Sequence, residues 1–309
     1  MGGFRVLTSW WCRVLLAASL FAGLPASAAT VQIVPGVSME VEAPAGQCLV
    51  EPSAHQFDAA YFATMQRLYV GSNNLLAYFI PCDALASLRQ GVAYPLAAWT
   101  VVLLPLSGGQ VMAATGYTRP QALDELAKAA GGNSLQGYLD GQKGAIESRV
   151  AQVIESDAYQ MNQLKSLGVL ARDEAGLYSG LLMTQMIGGQ MEEIACVFGM
   201  TLVNGYIVTL NIYRPYVDPA TFSEMVDDLK ARMAGLVAAN DDATTASSAT
   251  PAAPGAPLGD FQPLADDMDT TASSADGGQM LLVIGGGIAV VLIGGLIGFF
   301  VTRRRPEQG

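Results

Sequence analysis

The residues able to do chemistry in this chain are few and scattered. His55 is the single histidine of 309 residues, so a Ser-His-Asp or Cys-His arrangement would have to be built on it. It follows Ser53-Ala54 and precedes Gln56, a capping-box pattern at the start of a helically spaced segment, where an exposed polar residue is ordinary. Cys48, Cys82 and Cys196 are far apart, and neither CxxC nor HExxH occurs, which argues against a zinc centre. Ser134 lies in Gly132-Asn133-Ser134-Leu135-Gln136-Gly137, but the second glycine falls one position too late for a nucleophile elbow. Ser134 reads as an N-cap. There is no Ser-x-x-Lys dyad, P-loop or dinucleotide fingerprint, and the glycines at 285–287 fall in a membrane-type segment.

Carboxylates and thioethers remain. Glu192-Glu193 stands in an apolar, strand-like run, and adjacent strand residues face opposite sides, so the two acids cannot form a dyad with each other. Met183, Met186, Met191 and Met200 have the soft ligands that copper takes, yet they interleave with Leu, Ile and Phe as core residues do. Asp266, Asp267 and Asp269 lack the glycine-centred loop and spaced glutamate of a calcium site. No catalytic, cofactor-binding or metal-ligating residue is assigned, and the expectation is a non-enzymatic protein.

The two ends of the chain fix where such a protein would work. Arg5 and Arg13, an apolar run over 14–24, Pro25 and then Ala26-Ser27-Ala28 make a signal peptide over 1–28. Residues 280–301 are apolar or glycine throughout and would span about 33 Å as a helix, the thickness of a bilayer core. Arg303, Arg304 and Arg305 follow, so the basic tail 302–309 is expected in the cytoplasm and the rest outside. Gly277-Gly278, the apolar stretch and the arginines also have the outline of a C-terminal sorting signal. Within the span, Gly294 and Gly298 form a G-x-x-x-G pair suited to close helix approach, hence to a homodimer.

Residues 239–279 are mostly Ala, Ser, Thr, Pro, Gly and Asp, a composition expected to form a disordered tether. That leaves 29–238 as one domain, in which acidic residues outnumber basic ones by eight. This balance disfavours nucleic acid as a partner. The mature chain keeps three cysteines in a compartment where disulfides persist. Cys48 and Cys82 flank one helix and the strand after it, and are the candidate bridge. Cys196 alternates with Ile194 and Phe198 as a buried strand residue does, and an odd thiol is left over or pairs between chains.

The elements follow from periodicity. Val37, Met39, Val41 and Ala43 alternate with polar residues in a hairpin or edge strand. A helix is expected from Phe57 until Gly71 can end it, with strands over 75–80 and 99–106. A short helix holds Pro120 in its first turn and ends at Gly131-Gly132. A longer one carries Ile146, Val150, Val153, Met161 and Leu164 on one side, its start weakened by Gly137, Gly141 and Gly144. Four strand-like runs, 167–172, 177–186, 191–203 and 206–213, are separated by turn residues and form an antiparallel meander. Asn204-Gly205 in a type I′ turn sets Cys196 opposite Tyr213 and Val197 opposite Ile212. A final helix from Asp218-Pro219 bears the stripe Phe222, Met225, Val226, Leu229, Met233 and Leu236.

The fold class expected is therefore α+β, with a mainly antiparallel sheet, packed helices and one C-terminal transmembrane helix. In element order, an N-terminal strand segment followed by an antiparallel run that ends in a helix, the domain resembles the PsbP/Mog1/DcrB-type α+β fold, chiefly over 176–238. The resemblance implies a binding or accessory module. Together with the Ala-rich signal and tether, it leads us to expect a periplasmic domain held in a bacterial inner membrane, with the lipid bilayer and an envelope protein as partners. An envelope hydrolase using carboxylates and a dimeric membrane scaffold are the alternatives.

Overall fold

The computed structural model describes residues 28–92, 98–107, 109–114, 116–130, 134–154, 159–187 and 190–244. The expected signal peptide up to residue 27, the tether from 245, the 280–301 span with Gly294 and Gly298, and the basic tail lie outside the described residues. Among the described residues no helix is long and apolar enough to cross a membrane.

The chain is α+β, with antiparallel sheets and five helices among the described residues. It opens with a hairpin, β1 (Ala28–Val34) and β2 (Val37–Glu42), that forms its own two-stranded sheet. The main sheet has the order β3-β4-β5-β10-β9-β8-β7, from β3 (Gln47–Leu49), β4 (Asn73–Pro81), β5 (Trp99–Ser107), β10 (Tyr206–Pro215), β9 (Gln190–Val203), β8 (Leu177–Ile187) and β7 (Tyr159–Arg172). A two-residue β6 (Gln110–Val111) pairs with β5. The helices are α1 (Gln56–Tyr69), α2 (Cys82–Arg89), α3 (Arg119–Ala130), α4 (Ser134–Ile154) and α5 (Ala220–Thr244).

The sheet is buried on both faces, as the lack of a consistently polar face on β9 and β10 requires. The first four helices cover one side, where Tyr61, Leu68, Leu85, Leu126 and Val150 pack against Leu103, Phe198 and Leu181. α5 and the β1-β2 hairpin cover the other, with Met225, Leu229, Met233 and Met39 set on Phe79, Val102, Val197 and Leu210. β10 joins the two halves of the sheet, pairing with β5 on one side and β9 on the other. Asn204 (φ 51°) and Gly205 (φ 82°) both have positive φ, the type I′ geometry. Cys196 accordingly lies opposite Tyr213, and Val197 opposite Ile212.

Several local readings are corrected. The cap of α1 is His55 itself, whose Nδ1 accepts the amide of Phe57 at 3.0 Å, while Ser53 turns to Glu51. Met161 and Leu164 belong to β7, not to the helix before it: α4 ends at Ile154, and Met161 and Leu164 pair with Gln185 and Met183 of β8. Their spacing of three imitates a helical face, and strand pairing overrides it. The glycines at the start of α4 do not break the helix, which is tied to β7 by Gln136, donating to Leu164 O (2.9 Å) and accepting from Ser166 N (2.8 Å). Met191 is exposed (67%), unlike a core residue, because it sits at the sheet's end. α5 runs past Ala238 to Thr244, and residues 239–244 belong to the folded region instead of the tether. Asn240 there is buried and bonds both backbone groups of Glu40, each at 2.9 Å, while Asp241 pairs with Arg119.

Candidate functional site

A groove opens on the face that α5 and the hairpin cover. β2 ends at Glu42, and the chain crosses to β3 through Ala43, Pro44, Ala45 and Gly46, the first three of which line the groove. α5, set by Asp218 accepting the amides of Ala220 (2.8 Å) and Thr221 (3.3 Å), runs along the other side. Between them lies a space of about 350 Å³. Phe79 of β4, Thr100 of β5 and Leu210 of β10 are its floor; Asp228, Ala231, Arg232, Gly235 and Leu236 are the helical wall.

The helical wall carries the polar chemistry. Arg232 grips Asp228, one turn earlier, through Nε and Nη2, both at 2.7 Å, and its Nη1 donates to Thr100 Oγ1 at 2.7 Å. Arg214 of β10 bonds the same carboxylate from below. Two guanidiniums, Arg232 from α5 and Arg214 from β10, thus share one carboxylate, and Glu42 adds a second acid to the groove's lining, so the two arginines are balanced by two acids. Arg232 spends three of its five N–H groups in this run, leaving two for an acceptor entering the groove.

Gly235 shapes the space. A glycine inside a helix costs about 1 kcal/mol relative to alanine. A Cβ at this position would meet only Glu42 Oε2, at 3.8 Å, so no packing against the domain requires glycine there. With Ala231 one turn before, it keeps this stretch of the wall low and the groove open. An apolar floor, one directed polar wall and this volume are the makings of a small binding site.

The residues singled out by sequence do not converge here. Cys48 and Cys82 are joined in a disulfide with Cα atoms 4.8 Å apart. The bridge ties β3 to the start of α2, next to the loop that forms the groove's other wall. Cys196 is buried beside Tyr213 in the opposite layer, and burial pushes its thiol well up from the usual range. His55 caps α1, and Ser134 begins α4. Glu193 is exposed near Thr184, and Glu192 stands opposite Gln185 on β8. Met183 and Met200 are core residues. Asp266, Asp267, Asp269, Gly294 and Gly298 lie outside the described residues. Among the described residues no group of three or more His, Cys, Asp or Glu side chains could hold a metal ion.

Sequence reasoning missed the groove because its floor comes from three strands widely separated along the chain. The one local signal was Asp228 and Arg232 at i and i+4 on the polar side of α5, an arrangement as common on surfaces as in sites. Comparison of the chain with protein-family models, with curated proteins and with solved structures found no match.

Proposed function

We propose that this chain is a membrane-anchored binding module of the bacterial envelope, with residues 29–244 outside the cytoplasm and 280–301 in the bilayer. The observation that carries the binding role is the three-sided groove between α5 and the 42–46 loop. Its floor suits an apolar group, and the free N–H groups of Arg232 suit a hydrogen-bond acceptor attached to that group. An extended segment of an envelope protein meets both demands. The charged side chains beside the groove also favour binding over hydrolysis: both oxygens of Asp228 are already occupied as acceptors by Arg214 and Arg232.

The test is affinity capture of the full-length protein from crosslinked cells, beside a Gly235→Leu variant whose side chain would project into the groove. A partner held by the native protein and lost from the variant, with the melting temperature unchanged, is the expected result. Equal retention of every partner by both forms would remove the groove from the function.

A further inference from the structure

We propose that the groove selects an extended peptide segment carrying a lysine or arginine beside an apolar residue, with Glu42 as the partner of the basic group. This rests on the groove being the binding site. The lining holds two acids, Glu42 and Asp228, and one base, Arg232. Asp228 is spent, because both its oxygens accept from Arg214 or Arg232. Glu42 is exposed, and its carboxylate makes no hydrogen bond or ion pair among the described residues. Arg232 lines the same groove without closing on Glu42, since its guanidinium is turned to Asp228 and Thr100. The acids and bases balance in number, but the charge left unmet in the groove is negative, and it calls for a cation.

The shape of the groove supports the same occupant. Apart from α5's own backbone, only Glu42 Oε2, at 3.8 Å, comes within 4 Å of the point where a Cβ on Gly235 would stand, so the helix surface beside the carboxylate is uncovered. A basic head can reach the carboxylate there while its methylene stem lies along Phe79, Leu210 and Leu236, as long cationic side chains bury their stems on apolar surface. The two N–H groups that Arg232 has left require an acceptor, and a backbone carbonyl supplies one without setting a second negative charge against Glu42. The acidic excess of eight over residues 29–238 acts in the same sense, drawing a basic segment toward the domain and turning an acidic one away.

The test selects short randomised peptides, displayed on phage, against the full-length protein in lipid nanodiscs, in parallel with its Gly235→Leu, Glu42→Gln and Glu42→Lys forms. Because the Glu42 side chain is exposed, neither change there removes a core contact. Peptides held by the native protein and lost with Gly235→Leu should be enriched in lysine or arginine at one position next to an apolar residue. A synthetic peptide of that sequence should bind the Glu42→Gln form about threefold more weakly, the size of an exposed ion pair. Selection on the Glu42→Lys form should enrich aspartate or glutamate at the same position instead. Groove-dependent peptides with no basic position, or with one indifferent to both changes at Glu42, would overturn the proposal and leave the groove's role standing. If no selected peptide depended on Gly235, the groove would fall as a binding site and its choice of a basic segment with it.

Discussion

Asp58 shows how this domain handles a buried charge. It lies in the first turn of α1 with no exposed surface, accepts the amide of Glu51 at 2.9 Å, and takes Nε and Nη2 of Arg89 at 2.8 and 2.6 Å. Arg89 comes from the last turn of α2, so the pair fixes the two helices against each other. Such a pair adds little over a well-packed apolar substitute, but removing one partner strands the other. Arg89→Met should therefore lower stability by about 3 kcal/mol, read from the urea midpoint. A loss below about 0.5 kcal/mol, the usual size for a surface change, would mean that solvent reaches the carboxylate. The tyrosines of the same layer make a second prediction. Tyr61 and Tyr78 meet at their hydroxyls (3.3 Å), Tyr213 stacks on Trp99, and burial pushes all three hydroxyls up from their ordinary 10.0. The folded state then holds these protons more tightly than the unfolded chain, so this stability is complete below pH 10 and declines as pH rises past it. Tyrosinate absorbance of these groups should appear together with loss of the fold; ionisation well ahead of unfolding would show that they are accessible in the native state.

At the scale of elements, α5 sits close to the sheet because β9 supplies a glycine beneath it. A Cβ at Gly199 would come within 2.7 Å of Met233 Cε, 3.2 Å of Tyr178 Cδ1 and 3.3 Å of Leu229 Cδ2. The Met233 methyl can swing aside, but the tyrosine ring and the leucine cannot both do so without lifting the helix. Gly199→Ala should cost about 1–2 kcal/mol by overpacking, seen as a lower melting temperature, and a neutral result would show slack under α5. How legible each element was follows from what holds it. The stripe on α5 and the Asn204-Gly205 turn are specified by neighbours in sequence, so the helix face and the β9-β10 register could be read directly. β7 is specified by its partner: it has three register irregularities against β8, and its own sequence carries no clean alternation. α2 has eight residues beginning at a cysteine, too short for its period to stand out. The groove required three strands to be placed side by side before Phe79, Thr100 and Leu210 became one surface.

For the whole molecule, the disulfide links stability to the proposed site. The sheet ends on one side in β3, only three residues long, pairing with β4 alone. Cys48 in that strand is bonded to Cys82, whose amide also donates to Gly46 O at 3.0 Å. The wall of the groove formed by Ala43, Pro44 and Ala45 hangs between β2 and this anchored strand, so the bridge fixes one of the groove's two sides. Closing a loop of 34 residues in the unfolded chain should be worth about 4 kcal/mol by chain entropy. The double change Cys48→Ser with Cys82→Ser should lower the urea midpoint accordingly and weaken groove-dependent capture more than Gly199→Ala does, since Gly199 supports α5 from the opposite wall. The single change Cys48→Ser should be worse than the double one for folding yield, because it leaves Cys82 free to pair with Cys196 before that thiol is buried between β8 and β10. A double variant as stable as the native protein, with capture intact, would show that pairing with β4 and the Gly46 contact hold the edge and the groove wall without the bridge.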